Sequence, residues 1–152
     1  MLTPQMEERL NKQINAEIQS AYKYLAMSAY CKCKSLNGFG HWLFVQAQEE
    51  LLHGMKIYDY IVQQGGTIHL LPVKAAKADY ASLGEVFKTA LEAELEIGSL
   101  LDDLANFASS IKDNTTFTFL QWFLTEQVEE ISVATEVLDK IKLVSESGEG
   151  KY

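Results

Sequence analysis

Basic residues, proline, cysteine and long apolar runs are all scarce in this chain of 152 residues. Its 13 Lys and Arg face 21 Asp and Glu, a formal net charge of −8. A surface of that sign repels phosphate backbones, so nucleic acid is not an expected partner, whereas cations are. No stretch approaches the roughly 18 consecutive apolar residues of a membrane span, so no membrane association is expected. The opening residues, Met1-Leu2-Thr3-Pro4-Gln5-Met6-Glu7-Glu8, lack the basic-then-apolar order of a signal peptide. The two cysteines, Cys31 and Cys33, lie too close in sequence to staple distant elements, so a reducing cytoplasm is the expected compartment. With proline only at Pro4 and Pro72, long windows are open to helix. A hydrophobic share of 47% excludes a disordered chain, and the length fits one domain with a real core.

Four helical windows stand out. The first opens at Thr3-Pro4, a cap residue followed by proline at the first helical position, and runs to about Lys34. Asn37-Gly38 reads as the break before a second window, from about Gly38 to Gln64, which Gly65-Gly66 ends. Ser82-Leu83-Gly84-Glu85 reads as a capping box that starts a third window, reaching about Ile111. Asp113-Asn114 breaks the chain again, and the fourth window spans about Thr115 to Val144. This organisation predicts a bundle domain over residues 1–145, with 146–152 a tail.

The connections set the topology. Short breaks make the first and second helices, and the third and fourth, antiparallel hairpins. A second helix of about 27 residues is about 40 Å long. The connection from Gly65 to Ala81 has a maximum reach of about 56 Å, so it can return along the whole bundle. The expected fold is all-α: an up-down-down-up four-helix bundle with one long crossover between helices 2 and 3.

Each window carries an apolar stripe in steps of three and four. Carboxylates interrupt every stripe near mid-helix: Glu17 in the first, Glu50 with His53 in the second, Glu94 in the third, Glu130 with Gln127 in the fourth. In helices of similar length these positions share one layer and should converge. An unpaired buried carboxylate costs several kcal/mol. Four would offset the whole stability of a typical domain, about 5–15 kcal/mol. They must be protonated, hydrated or bound to cations. Oxygen ligands with one imidazole suit a transition metal such as iron or manganese. Glu50-Leu51-Leu52-His53 is a Glu-x-x-His, which puts both groups on one helix face.

At these residues the chain resembles the non-haem ferritins, and closely those of bacteria. The resemblance rests on Asn15-Ala16-Glu17, Tyr24, Gln48-Glu49-Glu50-Leu51-Leu52-His53, Phe119-Leu120-Gln121-Trp122-Phe123 and Glu126-Gln127-Val128-Glu129-Glu130. It implies the ferritin-like bundle and a ferroxidase centre. Glu17, Glu50 and His53 would hold one iron; Glu50 would bridge to a second, which Glu94 and Glu130 help bind, with Gln127 beside the pair. Glu49, Glu126, Glu129 and Glu130 match the ligands of a third iron. Tyr24 has two readings: an electron donor near the irons, or a core aromatic whose hydroxyl bonds Glu50 or a neighbour. Trp122 is either a second donor or a packed core tryptophan. The implied activity is oxidation of Fe(II) by dioxygen or hydrogen peroxide, with storage as ferric mineral inside a homo-oligomeric shell of 24 subunits.

The related families fit less well. Bacterioferritin uses a second Glu-x-x-His on helix 4 and a methionine that binds haem; here helix 4 reads Gln127-Val128-Glu129-Glu130 and Leu51 follows Glu50, so no haem is expected. Rubrerythrins carry extra glutamates and usually a Cys-x-x-Cys iron domain, and the DNA-protecting mini-ferritins often have basic tails. A non-catalytic shell subunit would lose the carboxylates that this chain keeps. Many members continue past a Gly-Glu-Gly-like turn into a short fifth helix, whereas this sequence stops at Gly148-Glu149-Gly150-Lys151-Tyr152. His41, His69, Cys31, Cys33 and the methionines read as solvated or packing residues.

Overall fold

The computed structural model describes residues 1–147, and within them the chain forms four helices: α1 (Pro4–Cys33), α2 (Asn37–Gln63), α3 (Leu83–Ser110) and α4 (Asn114–Ser147). The starts of α1, α3 and α4 follow their sequence signals, while α2 starts behind Leu36 with no side-chain cap. Thr3 caps α1, its hydroxyl accepting from the Met6 amide at 3.2 Å with Pro4 next. Ser82 caps α3 through the Glu85 amide, while the Glu85 carboxylate reaches back to the Ala81 N–H and the Lys77 ammonium. Asp113 caps α4: its carboxylate accepts from the Thr116 amide at 3.0 Å and from the Thr116 hydroxyl at 2.6 Å.

The ends differ from the sequence reading. Asn37-Gly38 is not a break but the first turn of α2. The left-handed residue that closes α1 is Ser35 (φ 62°), Lys112 (φ 59°) closes α3, and a glycine, Gly65 (φ 76°), closes α2. All three ends share one bonding pattern, in which Leu36, Gly66 and Asp113 donate to the carbonyls of Cys31, Ile61 and Ala108. Ile111, the expected limit of the third window, is the exposed C-cap residue of α3. Helix α4 continues past the expected Val144 to Ser147, and positions 148–152 of the expected tail lie outside the described residues.

Two apolar clusters fix the topology. One joins Met6 and Leu10 of α1, Ile57 and Ile61 of α2, Leu104 and Ala108 of α3, and Leu120 and Phe123 of α4. The other joins Met27 and Cys31, Leu43, Leu83 and Phe87, and Leu138 and Ile141. The start of α1, the end of α2, the end of α3 and the start of α4 therefore share one end of the molecule. That is the expected up-down-down-up order with one long crossover.

The crossover is tied to α1 by one row of polar side chains. Glu7 accepts from the Thr67 amide (2.7 Å), and Asn11 accepts from the His69 amide (2.7 Å) while donating to the Thr67 carbonyl (3.0 Å). Asn15 donates to the Pro72 carbonyl (3.0 Å), and Gln19 makes two bonds with the Lys74 backbone (2.7 and 2.9 Å). These residues stand four apart, on one face of α1. Asn11 is the buried member, 3% exposed. Asn11→Ala should therefore destabilise the fold by about 1–3 kcal/mol, since it removes a buried amide that bonds both the crossover and the α1 backbone, and should cost more than Asn15→Ala at the exposed rung. Urea titration of both variants checks the order.

Candidate metal centre

Between the two apolar clusters lies a polar layer. Glu17, Glu50, His53, Glu94 and Gln127 are each at most 5% exposed, and Glu130 is half-buried. The layer comes from all four helices, as the interrupted stripes predict. Ligand-capable atoms of Glu17, Glu50 and His53 lie within 4.8 Å of one another. The same holds for Glu50, Glu94 and Glu130, and for His53, Glu126 and Glu130. Glu50, His53 and Glu130 thus each belong to two groups. His53 presents Nδ1 to Glu50 at 3.6 Å and Nε2 to Glu130 at 3.7 Å.

Only some of these carboxylates are satisfied by protein. Glu94 is clamped: the Tyr24 hydroxyl donates to its Oε1 and the Gln127 amide to its Oε2, both at 2.7 Å, and Gln127 also donates to the Glu94 carbonyl. The Gln13 amide donates to Glu17 Oε1 at 3.2 Å. Left with no partner are Glu17 Oε2, both oxygens of Glu50 and Glu130 Oε2, all buried. A buried charged oxygen without a partner is strongly unfavourable, so these atoms call for protons or a cation. The donor set, hard carboxylates around one imidazole, fits divalent iron.

The titration behaviour follows from burial. Desolvation raises Glu17 to about 7, against hydrogen bonds that lower it, and raises Glu130 to about 9. Burial and the neighbouring acids hold Glu50 well above the usual carboxylate range. Desolvation lowers His53, which favours the neutral, ligating imidazole. Burial and Glu94 keep Tyr24 a neutral phenol, as donation to Glu94 requires.

Several placements sharpen the sequence reading. Tyr24 bonds Glu94, not Glu50. Trp122 is not a core residue: it is 39% exposed, its ring edge against His53 at 5.4 Å and the Lys56 ammonium over its face at 3.3 Å. Glu49, Glu126, Glu129 and Glu130 share one cleft of about 330 Å³ between α2 and α4, with Tyr24 on its wall. Of these, Glu126 and Glu130 come within ligand-sharing distance of His53, while Glu49 and Glu129 are exposed. His41 and His69 are exposed, Cys33 is exposed, and Cys31 packs in the core. Gln13, the support of Glu17, escaped the sequence reading; its position one helical turn before Glu17 was the available signal.

A profile of the family described as a ferritin-like domain matches residues 7–144. This chain belongs to the ferritin family. It is 38% identical, over its full length and 92% of theirs, to bacterial non-heme ferritins of Escherichia coli O6:H1 and Staphylococcus aureus USA300. Among solved structures, an Archaeoglobus fulgidus ferritin engineered into a closed form superposes with a TM-score of 0.94 at 39% identity, covering 96% of this chain and 89% of that one. An open-pore ferritin from the same archaeon gives 0.93 at 39% identity, covering 94% and 87%.

The raised carboxyls set the sign of this ferritin's pH dependence. A raised folded-state value contributes stability that is complete below the unfolded value, here 4.5, and lost as pH rises through about 7 for Glu17 and about 9 for Glu130. The metal-free protein should lose melting temperature across that window. Glu50→Gln, which removes one ionisable member, should flatten the loss. Anaerobic Co(II) binding at neutral pH should release protons, detected as a dependence of calorimetric heat on buffer ionisation enthalpy.

Proposed function

We propose that this ferritin is a ferroxidase and iron store, with Fe(II) as its substrate and Glu17, Glu50, His53, Glu94 and Glu130 as the oxidation centre. The observation that carries the reading is a pair of overlapping ligand groups, joined through Glu50, whose buried oxygens have no partner in the protein. Two such groups support two ions per chain. Carboxylates favour Fe(III) over Fe(II), so the site drives oxidation. Two Fe(II) supply the two electrons that convert dioxygen and two protons to hydrogen peroxide, or that reduce peroxide to water.

Each residue has a part in that proposal. Glu50 lies between the two groups and serves as the bridge. Neutral His53 offers one nitrogen while its other N–H faces a carboxylate, which fixes the ring. Tyr24 and Gln127 hold Glu94 in one orientation, and Tyr24 stands in reach as an electron donor. Protons displaced from Glu17, Glu50 and Glu130 on iron entry are available for oxidant reduction. The acidic cleft of Glu49, Glu126, Glu129 and Glu130 is proposed as a third iron position on the path onward. No haem is part of the proposal.

The wider setting is proposed on the same basis: one bundle domain over 1–145 with a tail at 146–152, and a closed homo-oligomer of 24 subunits that encloses the mineral. Archaeal relatives described as open-pore and closed forms make shell geometry a direct measurement, by sedimentation and electron microscopy. Among the described residues no helix is long and apolar enough to cross a membrane. Unpaired Cys31 and Cys33 agree with a reducing, cytoplasmic setting.

Stopped-flow absorbance tests the centre. Glu50→Ala and His53→Ala should each slow rapid Fe(II) oxidation at least about tenfold with the assembly intact, as loss of metal-site residues does elsewhere. Rates equal to the parent's would leave a non-catalytic shell subunit as the reading. Glu126→Ala should keep the first rapid oxidation yet change the ratio of iron oxidised to dioxygen consumed, read with an oxygen electrode at limiting Fe(II). An unchanged ratio in both Glu49→Ala and Glu126→Ala would remove the third position.

A further inference from the structure

Tyr60 is a buried phenol, 7% exposed, that the oxidation centre does not use. It follows His53 by seven residues, which is two turns and about 10 Å along the same face of α2. Aromatic rings fill the space beside them. The Tyr60 ring lies flat on Phe119, with centroids 3.9 Å apart and planes 8° from parallel. Phe119 meets Phe123 at 5.3 Å, and Phe123 meets the His53 ring at 6.2 Å. A continuous file of packed rings thus runs from a residue of the centre to the phenol.

The phenol also has a route for its proton. Thr116 carries one hydroxyl hydrogen, which goes to the Asp113 carboxylate at 2.6 Å. In the 2.9 Å bond between Tyr60 and Thr116, Tyr60 is therefore the donor. The bonds run from Tyr60 to Thr116 to Asp113, which is half-buried and outside the carboxylate layer. Burial favours the neutral phenol. A buried neutral phenol gives up an electron readily only if its proton can leave as well, and here the proton moves in two short hops. The aromatics nearer the centre are less suited to hold the radical. Tyr24 donates to Glu94, which the proposed centre commits to iron and so weakens as a base. Trp122 has the Lys56 ammonium 3.3 Å from its ring centroid, which opposes a second positive charge there.

We propose that Tyr60 is a redox residue: it supplies an electron to the oxidation centre past Phe119 and Phe123, and passes its proton through Thr116 to Asp113. The inference rests on the ferroxidase reading above. The electron tunnels through the packed rings, and neither phenylalanine is oxidised. The need arises when hydrogen peroxide meets a centre holding a single Fe(II), which gives one electron where two are required. One-electron cleavage would release a hydroxyl radical. With Tyr60, the O–O bond breaks, one electron comes from Fe(II) and one from Tyr60, the centre takes up two protons, and two waters leave. Tyr60 is left as a neutral tyrosyl radical with its proton on Asp113. The next Fe(II) returns an electron by the same path, the proton comes back from Asp113, and the phenol is restored. Two Fe(II) and one peroxide are consumed overall, as in the paired reaction, although the irons arrive singly.

The test loads the assembled protein with one Fe(II) per subunit, mixes it with hydrogen peroxide and freezes it for electron paramagnetic resonance. The parent should show a tyrosyl radical. Tyr60→Phe, which keeps the stacked ring and loses only the hydroxyl, should lose most of that signal. Asp113→Asn should weaken it too, because asparagine caps α4 equally well but its amide cannot take the proton. Spin trapping should find more hydroxyl radical from Tyr60→Phe than from the parent, a difference that a purely structural role for the phenol would not produce. Anaerobic Co(II) titration should give the parent's stoichiometry in both variants, so that the centre is intact in each. A parent without a tyrosyl signal, or a signal unchanged in Tyr60→Phe or in Asp113→Asn, overturns the proposal while the oxidation centre stands. A parent that neither binds Co(II) in the carboxylate layer nor oxidises Fe(II) overturns the ferroxidase reading, and this inference with it.

Discussion

The structure depends on the electrostatic conflict within one layer. Four helices place buried carboxylates side by side, and among the described residues no ammonium or guanidinium pairs with them. The conflict is tolerated because large apolar clusters lie on either side, with Met6, Leu10 and Phe123 at one end and Met27, Phe87 and Leu43 at the other. Those clusters supply the favourable burial, and the layer between them is free to be unfavourable until protons or metal arrive. Stability and affinity are thus opposed within the same few residues, as expected of a binding site in a well-packed scaffold.

Support for the site is uneven. Glu94 is held on both oxygens by Tyr24 and Gln127, and Glu17 on one by Gln13, while both oxygens of Glu50 are unsupported. Of the two carboxylates shared between ligand groups, Glu50 and Glu130, Glu50 has no partner on either oxygen, so it is the one best able to change its coordination as metal enters. Glu94 is the fixed reference against which it moves. The neutral state of Tyr24 belongs to the same arrangement: an ionised phenol could not donate to Glu94.

Most of the centre was legible because an acid within an apolar stripe is conspicuous at helical spacing. Glu17, Glu50, His53, Glu94 and Gln127 all lie where their stripes put them. Partnership was less legible, since spacing along one helix says nothing of which oxygen a phenol on another will meet. Tyr24 accordingly was given Glu50 or a neighbour as its partner, and the structure selects the neighbour, Glu94. Of the two readings left open for Trp122, the packed core one fails: it adjoins Phe123 in sequence, yet one residue of helix is a rotation of about 100°, enough to carry it from core to edge. The ends of α1 and α3 fall within a residue of where the sequence puts them, but the residues that close them were not legible, because Ser35 and Lys112 take left-handed conformations usually given to glycine.

The tether between α1 and the crossover couples two different periodicities. Four residues of helix advance about 6 Å, and two residues of extended chain advance about 6.6 Å. The anchor points on the crossover, Thr67, His69, Pro72 and Lys74, advance by two or three residues for each four-residue step along Glu7, Asn11, Asn15 and Gln19. The two segments are nearly commensurate, like a rack meshed along a toothed rod. Inserting one residue before Thr67 would put every later rung out of mesh, whereas inserting two would let the strap advance by a whole tooth and seat again. The long connection is therefore less tolerant of change in length than its place on the surface suggests, and evolution there is expected to proceed in steps of two.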